Sequence, residues 1–315
     1  MILTVTPNPS LDRTYEVAEL VRGAVLRAGS DRTDPGGKGV NLSRAVAAAG
    51  YDTVAVLPLG GAEGAELARL LDAAGIRSAR VQLAGSTRVN ISVAEPDGTL
   101  TKLNAPGPEL ASYETRALLD IVGAHAVGAD WIACCGSLPR GLATRWCAEL
   151  VDRAHRDGAR IALDTSGPAL TAALPAGPDV VKPNAEELAE AVGRPLATVG
   201  DVVTAAEELR DAGAGCVLAS LGADGQLLVS SEGVWFGTAR VAAVRSTVGA
   251  GDASLAGFLT AGGTGPEALA SALAYGAAAV GLPGSVMPTP GDLDPDGVTV
   301  TTAVPLDRTL TEPAL

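Results

Sequence analysis

The chain has 315 residues, of which 47% are hydrophobic and only 3% aromatic, and a formal net charge of −13. That length supports one large domain or two modest ones around a core of Ala, Val and Leu. The acidity makes nucleic acid and anionic membrane poor partners.

The first element, Ile2–Thr6, is a short apolar strand running into Pro7. It has neither the basic start nor the long apolar stretch of a secretory signal, and no run reaches membrane-spanning length, so a cytoplasmic protein is expected. Further apolar runs of strand length follow at Thr53–Leu57, Trp131–Cys134, Arg160–Asp164, Asp179–Lys182 and Cys216–Ser220. Between them, Ala- and Leu-rich segments at helical spacing predict helices over Gly39–Ala49, Glu63–Ala74, Tyr113–His125, Thr144–Arg156, Ala185–Val192 and Val202–Ala212. This alternation predicts an α/β fold, a mainly parallel sheet with helices on both faces and its ligand site along the strands' C-terminal edge.

Two regions break the pattern. Residues Asp12–Thr33 and Ala84–Leu103 lack helical periodicity. Arg88–Val93 alternates polar and apolar, turns at Asp97-Gly98 and resumes at Thr99–Leu103, which reads as a hairpin. A small accessory sheet standing off the main body is expected. Gln226–Val229 and Val234–Gly237 read as an antiparallel edge, Pro283–Gly297 as an ordered loop, and the last few residues as a loose tail.

Histidine and lysine are scarce. His125 and His155 both lie on predicted helices, so acid–base chemistry falls to carboxylates or lysine. Only Lys38, Lys102 and Lys182 are lysines, and each lies within a local motif. Cys134, Cys135, Cys147 and Cys216 show no metal-ligand spacing and read as buried free thiols.

The most informative stretch is Ser246–Phe258, where Gly249-Ala250-Gly251-Asp252 opens an apolar run. A glycine turn at a helix start leaves main-chain N–H groups unpaired, and the helix dipole adds positive charge there. A carboxylate in that place suits a base acting on the nucleophile of a phosphoryl transfer. A tight turn followed by a favourable first-turn Asp explains the same residues. Pro35-Gly36-Gly37-Lys38-Gly39-Val40-Asn41 opens the first helix as an anion or polyol cradle, or as a plain loop. Asp12, after the first strand, either binds sugar hydroxyls or caps a turn. Asn184 and Glu187 have capping-box spacing and could also hold magnesium through water. Ser220–Gly225 is a strand-end glycine turn suited to a flat ligand. The P-loop and G-x-G-x-x-G fingerprints are absent: Arg32 stands where a P-loop would have its first Gly, and Gly39 follows the lysine.

In order and over nearly the whole chain, these motifs resemble the PfkB (ribokinase-like) family of carbohydrate kinases. Asn8–Asp12, Gly36–Gly39, Thr87–Asn90, Asn104–Pro108, Gly136–Pro139 and Val181–Asn184 are similar to its hexose-phosphate branch, that acting on fructose 1-phosphate most of all. Tagatose 6-phosphate, fructose 6-phosphate and a non-catalytic sugar-phosphate sensor are the alternatives. The sequence departs from the family at Ala253, where Ser is commoner, and at Lys102, where relatives often carry an acidic residue.

The resemblance implies one ribokinase-like three-layer domain over residues 1–310, with lid strands inserted at about 12–33 and 84–105. It implies ATP and Mg²⁺ as cofactors and a homodimer formed through the lid. Asp252 would be the base, with the amides of Gly249, Ala250, Gly251 and Asp252 as the anion hole. Asp12, Gly36, Gly37 and Asn41 would bind sugar hydroxyls. Lys38, Arg88, Asn90 and Ser137 would bind the existing phosphate, with Arg27, Lys102 and Arg140 as further cations. Lys182, Asn184, Ser220, Gly222, Gly225 and Thr247 would line the ATP side, with adenosine against Tyr275–Gly284 and metal at Asn184 and Glu187.

Overall fold

The computed structural model describes residues 1–314. The chain opens with β1 (Ile2–Val5) and two strands of a separate small sheet, β2 (Ser10–Glu16) and β3 (Ser30–Gly36), then α1 (Lys38–Ala48). Next come β4 (Thr53–Leu59), α2 (Gly61–Ala73) and β5 (Ser78–Gln82), and the hairpin β6 (Arg88–Ala94) and β7 (Leu100–Leu103). The middle alternates α3 (Ser112–Ala126), β8 (Trp131–Cys135), α4 (Trp146–Arg156), β9 (Arg160–Asp164), α5 (Gly167–Ala173), β10 (Val180–Val181) and α6 (Ala185–Val192). It continues through β11 (Leu196–Thr198), α7 (Val199–Asp211) and β12 (Cys216–Ser220) into β13 (Gln226–Ser230) and β14 (Gly233–Ala239). Two helices, α8 (Ala250–Thr260) and α9 (Gly265–Val280), precede β15 (Val298–Thr301) and β16 (Thr309–Ala314).

The main sheet has the order β15-β14-β13-β12-β10-β9-β8-β1-β4-β5. From β12 to β5 every neighbour is parallel, and β13, β14 and β15 add antiparallel strands at one edge. Alternation along the strands sends side chains to two cores. Leu3, Val5, Ile132, Ile161 and Leu163 face α3, α4, α5, α6 and α7, whereas Ile2, Trp131, Ala133 and Leu218 face α1, α8 and α9. Thr4 points to the second face and is buried there, its hydroxyl bonded to Ser43 Oγ at 2.6 Å.

Chain order fixes where a ligand can enter. From β1 the chain winds outward through β4 and β5, then returns to place β8 on the other side of β1. The winding direction reverses there, so the loops leaving β1 and β8 diverge and open a crevice at the strands' C-terminal ends. The small sheet, ordered β3-β2-β6-β7, is rooted at this crevice by Ser10, Gly36 and Arg88. β2 and β6 are parallel, and the two outer pairs are antiparallel.

The predicted strands and helices all appear, with ends shifted by a few residues. The accessory sheet and the antiparallel edge are also where the patterning puts them. The loose tail is corrected: β16 pairs with β11. Thr311 is fastened to buried Asp224, whose carboxylate accepts from Thr311 N at 2.6 Å, Thr311 Oγ1 at 2.9 Å and Arg308 Nη2 at 2.9 Å. Burial pushes the Asp224 carboxyl up, but these donors outweigh it and hold it below the usual carboxylate range. Its stabilising effect is therefore present at neutral pH and lost as pH falls through the folded-state pKa. Asp224→Ala should lower stability by about 1–3 kcal/mol, the cost of stranding such donors, read as a lower urea midpoint with an unchanged m-value. A midpoint equal to wild type would show that this clasp does not stabilise the fold.

Candidate active site

A cavity of about 590 Å³ lies in the crevice. Thr6 and Asn8 reach it from the end of β1, Gly136, Ser137 and Arg140 from β8, Thr165 and Ser166 from β9. Lys38 at the start of α1, Arg88 and Asn90 of β6, Asn104 after β7 and Glu187 of α6 add to its polar lining.

One wall carries a network of hydrogen bonds around Asp12. Asp12 Oδ1 accepts from Ser10 Oγ at 2.6 Å and from Asn90 Nδ2 at 3.0 Å. Asn90 Nδ2 also reaches Ser10 Oγ at 2.9 Å, and its Oδ1 accepts from Ala105 N at 3.2 Å. The Asp12 carboxylate lies directly over Gly36, where any side chain would collide with it. Gly37 has φ +116°, a conformation that lets α1 start immediately after the strand.

Asp164 holds the floor together. Its Oδ1 accepts from Lys38 Nζ at 2.8 Å, and Lys182 Nζ lies 3.0 Å from Oδ2. Lys38 Nζ is also 3.4 Å from Glu187 Oε1. Burial pushes the Asp164 carboxyl up, but Lys182 and Lys38 outweigh it and hold the carboxyl below its ordinary range. Burial likewise pushes the Lys38 ammonium down, and Asp164 and Glu187 more than reverse this, so it stays charged. Asp164 was absent from the residues singled out in the sequence. Its signal was a lone charge closing the apolar strand Ile161-Ala162-Leu163.

Asp252 sits in the first turn of α8 and is only 7% exposed. Gly249, with φ +79°, turns the chain into the helix, and no side chain caps that end. The Ala250 amide makes a long bond to Thr247 O at 3.4 Å, and the Gly251 and Asp252 amides have no backbone acceptor. Asn41 Nδ2 donates to Asp252 Oδ2 at 2.9 Å. A Cβ at Gly251 would lie 3.4 Å from Lys182 Nζ, so the lysine and the open helix end are neighbours. Burial pushes the Asp252 carboxyl up, with Asp164 adding to the rise. The Asn41 bond, Lys182 and Lys38 restrain it, and it comes to about 6.

Of the expected residues, Gly37, Lys38, Asn90 and Ser137 line the cavity, Asp12 over Gly36 is bonded to Asn90, Lys182 joins Lys38 through Asp164, and Asn41 and Asp252 lie beside Lys182 at the start of α8. Other expected residues are placed differently. Arg27 is exposed on the loop between β2 and β3, and Lys102 is exposed on β7; neither lines the cavity. Arg88 lines it, but its guanidinium is engaged with Ala105 O at 2.8 Å and Asn8 O at 2.9 Å. Arg140 also lines the cavity, its backbone carbonyl accepting from Leu110 N at 2.9 Å.

On the far side, Ser220 bridges to Asn184 and Gly222 is an open turn, with Thr247 exposed nearby in sequence to α8. Gly225 is explained by packing, since a side chain there would strike Gly237 O of β14. Tyr275 is buried against Gly257 of α8 and cannot line an adenosine pocket. Asn184 and Glu187 form a capping box: Asn184 Oδ1 accepts from Glu187 N at 2.7 Å, and Glu187 Oε2 from Asn184 N at 2.9 Å. Glu187 Oε1, shared with Lys38 Nζ at 3.4 Å, is the carboxylate oxygen outside the box. Among the described residues no three acidic, His or Cys side chains gather around a metal. A magnesium ion carried on phosphates, keeping its own waters, fits this set; a directly coordinated protein cage does not.

A family model for pfkB family carbohydrate kinases matches residues 6–291. The 1-phosphofructokinase of Rhodobacter capsulatus is 41% identical over 306 residues, covering 95% of this chain and 96% of that one. The 1-phosphofructokinase of Haloferax volcanii is 41% identical over 293 residues, covering 91% and 93%. Phosphofructokinase-2 from Escherichia coli, solved in complex with potassium, superposes with a TM-score of 0.88 at 34% identity, covering 92% and 96%. The architecture is ribokinase-like α/β, and the chain belongs to the pfkB family of carbohydrate kinases.

Proposed function

We propose that this kinase transfers the γ-phosphoryl group of ATP to O6 of fructose 1-phosphate, giving fructose 1,6-bisphosphate and ADP. The observation that carries the chemistry is Asp252: a buried carboxylate, beside unpaired amides at a helix start, within reach of Asn41 and the two lysines. The choice of sugar rests on the names of the relatives at 41% identity and on the cationic lining of the crevice.

In this reading Asp12, Asn90 and the Gly36–Gly37 backbone hold the sugar hydroxyls. Ser137, Arg140 and Lys38 hold the 1-phosphate, with Arg88 bracing the wall behind them. Asp252 takes the O6 proton as the O6–phosphorus bond forms and the bond to the β-phosphate oxygen breaks. The amides of Gly251 and Asp252, with Lys182, stabilise negative charge on the moving group. A magnesium ion on the triphosphate would supply charge neutralisation, its waters donating to the Glu187 carboxylate.

The same reading makes the protein a homodimer. The edge strand β7 presents Leu100 and Leu103, 39% and 61% exposed, beside a small sheet whose strand β6 is only half covered. A second copy laid on this face would bury them.

Purified protein assayed with ATP and a panel of sugars should turn over fructose 1-phosphate with a higher kcat/KM than fructose 6-phosphate, tagatose 6-phosphate or free fructose. Preference for another member reassigns the acceptor, and binding without ADP release would make the protein a sensor. Asp252→Asn should lower kcat by roughly 10²–10⁴-fold, the range for a lost general base, with the melting temperature retained. Since the base is the ionised form, wild-type kcat/KM should fall as pH drops below about 6. A folded, fully active Asp252→Asn variant removes this residue from the mechanism. Light scattering should give twice the chain mass for wild type and the single mass for Leu103→Arg; a wild-type monomer would refute the pairing.

A further inference from the structure

Asn41 is placed between two groups that each demand one end of its amide. Its Nδ2 donates to Asp252 Oδ2 at 2.9 Å, and its Oδ1 accepts from Arg44 Nη1 at 3.3 Å. The two ends of an amide have nearly the same shape, so packing alone does not choose between an orientation and its flip. Arginine has only donors, and an ionised carboxylate only acceptors. Flipped, Asn41 would face donor to donor at Arg44 and acceptor to acceptor at Asp252.

Arg44 is one turn along α1 from Asn41, and the same Nη1 lies 3.4 Å from Ser285 Oγ, in the loop after α9. Arg32 of β3 reaches this loop too, with its guanidinium packed beside Gly284. Arg44 thus bonds this loop to α1, with Arg32 lying alongside.

We propose that Arg44 is a positioning residue for phosphoryl transfer: by donating to Asn41 Oδ1 it locks the amide so that Nδ2 faces the Asp252 carboxylate. The proposal rests on the reading of Asp252 as the base. The charged groups around the pair come from every adjoining element. Asp164 of β9, Lys182 after β10 and Lys38 of α1 act on Asp252. Asp34 and Arg32 of β3 and Asp12 of β2 act on Arg44. The substitutions below leave all of these in place. The Asn41 bond lowers the Asp252 pKa. An amide free to present Oδ1 instead would therefore raise it and leave the carboxylate without its orienting donor.

The test is the pH profile of kcat/KM for Arg44→Met, with Arg44→Gln as a second variant of similar length should the first fail to fold. Arg44→Met should lower kcat by about tenfold while both KM values stay within about twofold, and should move the acid limb up by about one pH unit. Arg44→Gln should move it the same way by less, because its amide can turn either end to Asn41. Arg44→Lys, again a donor only, should bring the limb back to its wild-type position. A merely structural Arg44 would lower activity or melting temperature and leave the limb where it was. An acid limb coincident with wild type in a folded Met or Gln variant overturns the proposal, whatever happens to kcat. Failure of the underlying reading looks different: wild type would lack an acid limb, or Asp252→Asn would retain full rate.

Discussion

Asp164 can be fully buried at the C-terminal end of β9 only because two ammonium groups flank it, the buried one of Lys182 and the partly exposed one of Lys38. An isolated carboxylate there would cost several kcal/mol of lost hydration and would take up a proton instead. Flanked by two ammonium groups it stays ionised, and it ties together three elements distant in sequence: the end of β9, the residue after β10 and the start of α1. Removing it would leave Lys182 unpaired and Lys38 with Glu187 alone. The same charge reaches Asp252, whose carboxyl it helps to raise toward neutrality. A structural ion pair and the proton affinity of a neighbouring acid therefore share one cause.

That arrangement answers a difficulty set by the whole chain. A protein of net charge −13 repels phosphates at long range. Its scarce lysines are concentrated accordingly, two of the three meeting at Asp164 and the third lying outside on the small sheet. The free amides of α8 add positive potential without adding a side chain. Arg88 illustrates the other use of a cation: its fork is engaged with backbone carbonyls of two separate loops, shaping the wall.

The topology decides that these groups meet. The reversal between β1 and β8 opens the crevice, and the small sheet grows from its rim, carrying Asp12 and Asn90 to the site that holds the lysines. α8 runs beneath with most of its length buried, which fixes Asp252 as firmly as any core residue. Asn41 and Arg44, on one face of α1, connect this base to the loop after α9.

Much of this was legible in the chain. Apolar runs of strand length alternating with helical periodicity predicted the parallel sheet, because both patterns are local and every repeat buries the same kind of face. The Gly249–Asp252 turn and the Gly36–Asn41 cradle were legible for the same reason: a special backbone conformation needs glycine where it occurs. β5, with only Ala79 and Val81 buried, is a polar edge strand, and its sequence looks like a loop. β11 and β16 pair across more than a hundred residues, beyond the reach of any local pattern. Gly225 looked like a ligand turn because a glycine needed for packing and one needed for a ligand are the same letter. Composition, periodicity and turn chemistry thus determined the fold class and the glycine turns that open α1 and α8. The tertiary structure alone decided that Asp164 joins the lysines, that Arg27 and Lys102 stay away from the cavity of their own chain, and that Arg44 faces Asn41. Those outcomes depend on distances between elements far apart in sequence, and charge pairing acts over ångströms in space rather than over positions in a chain.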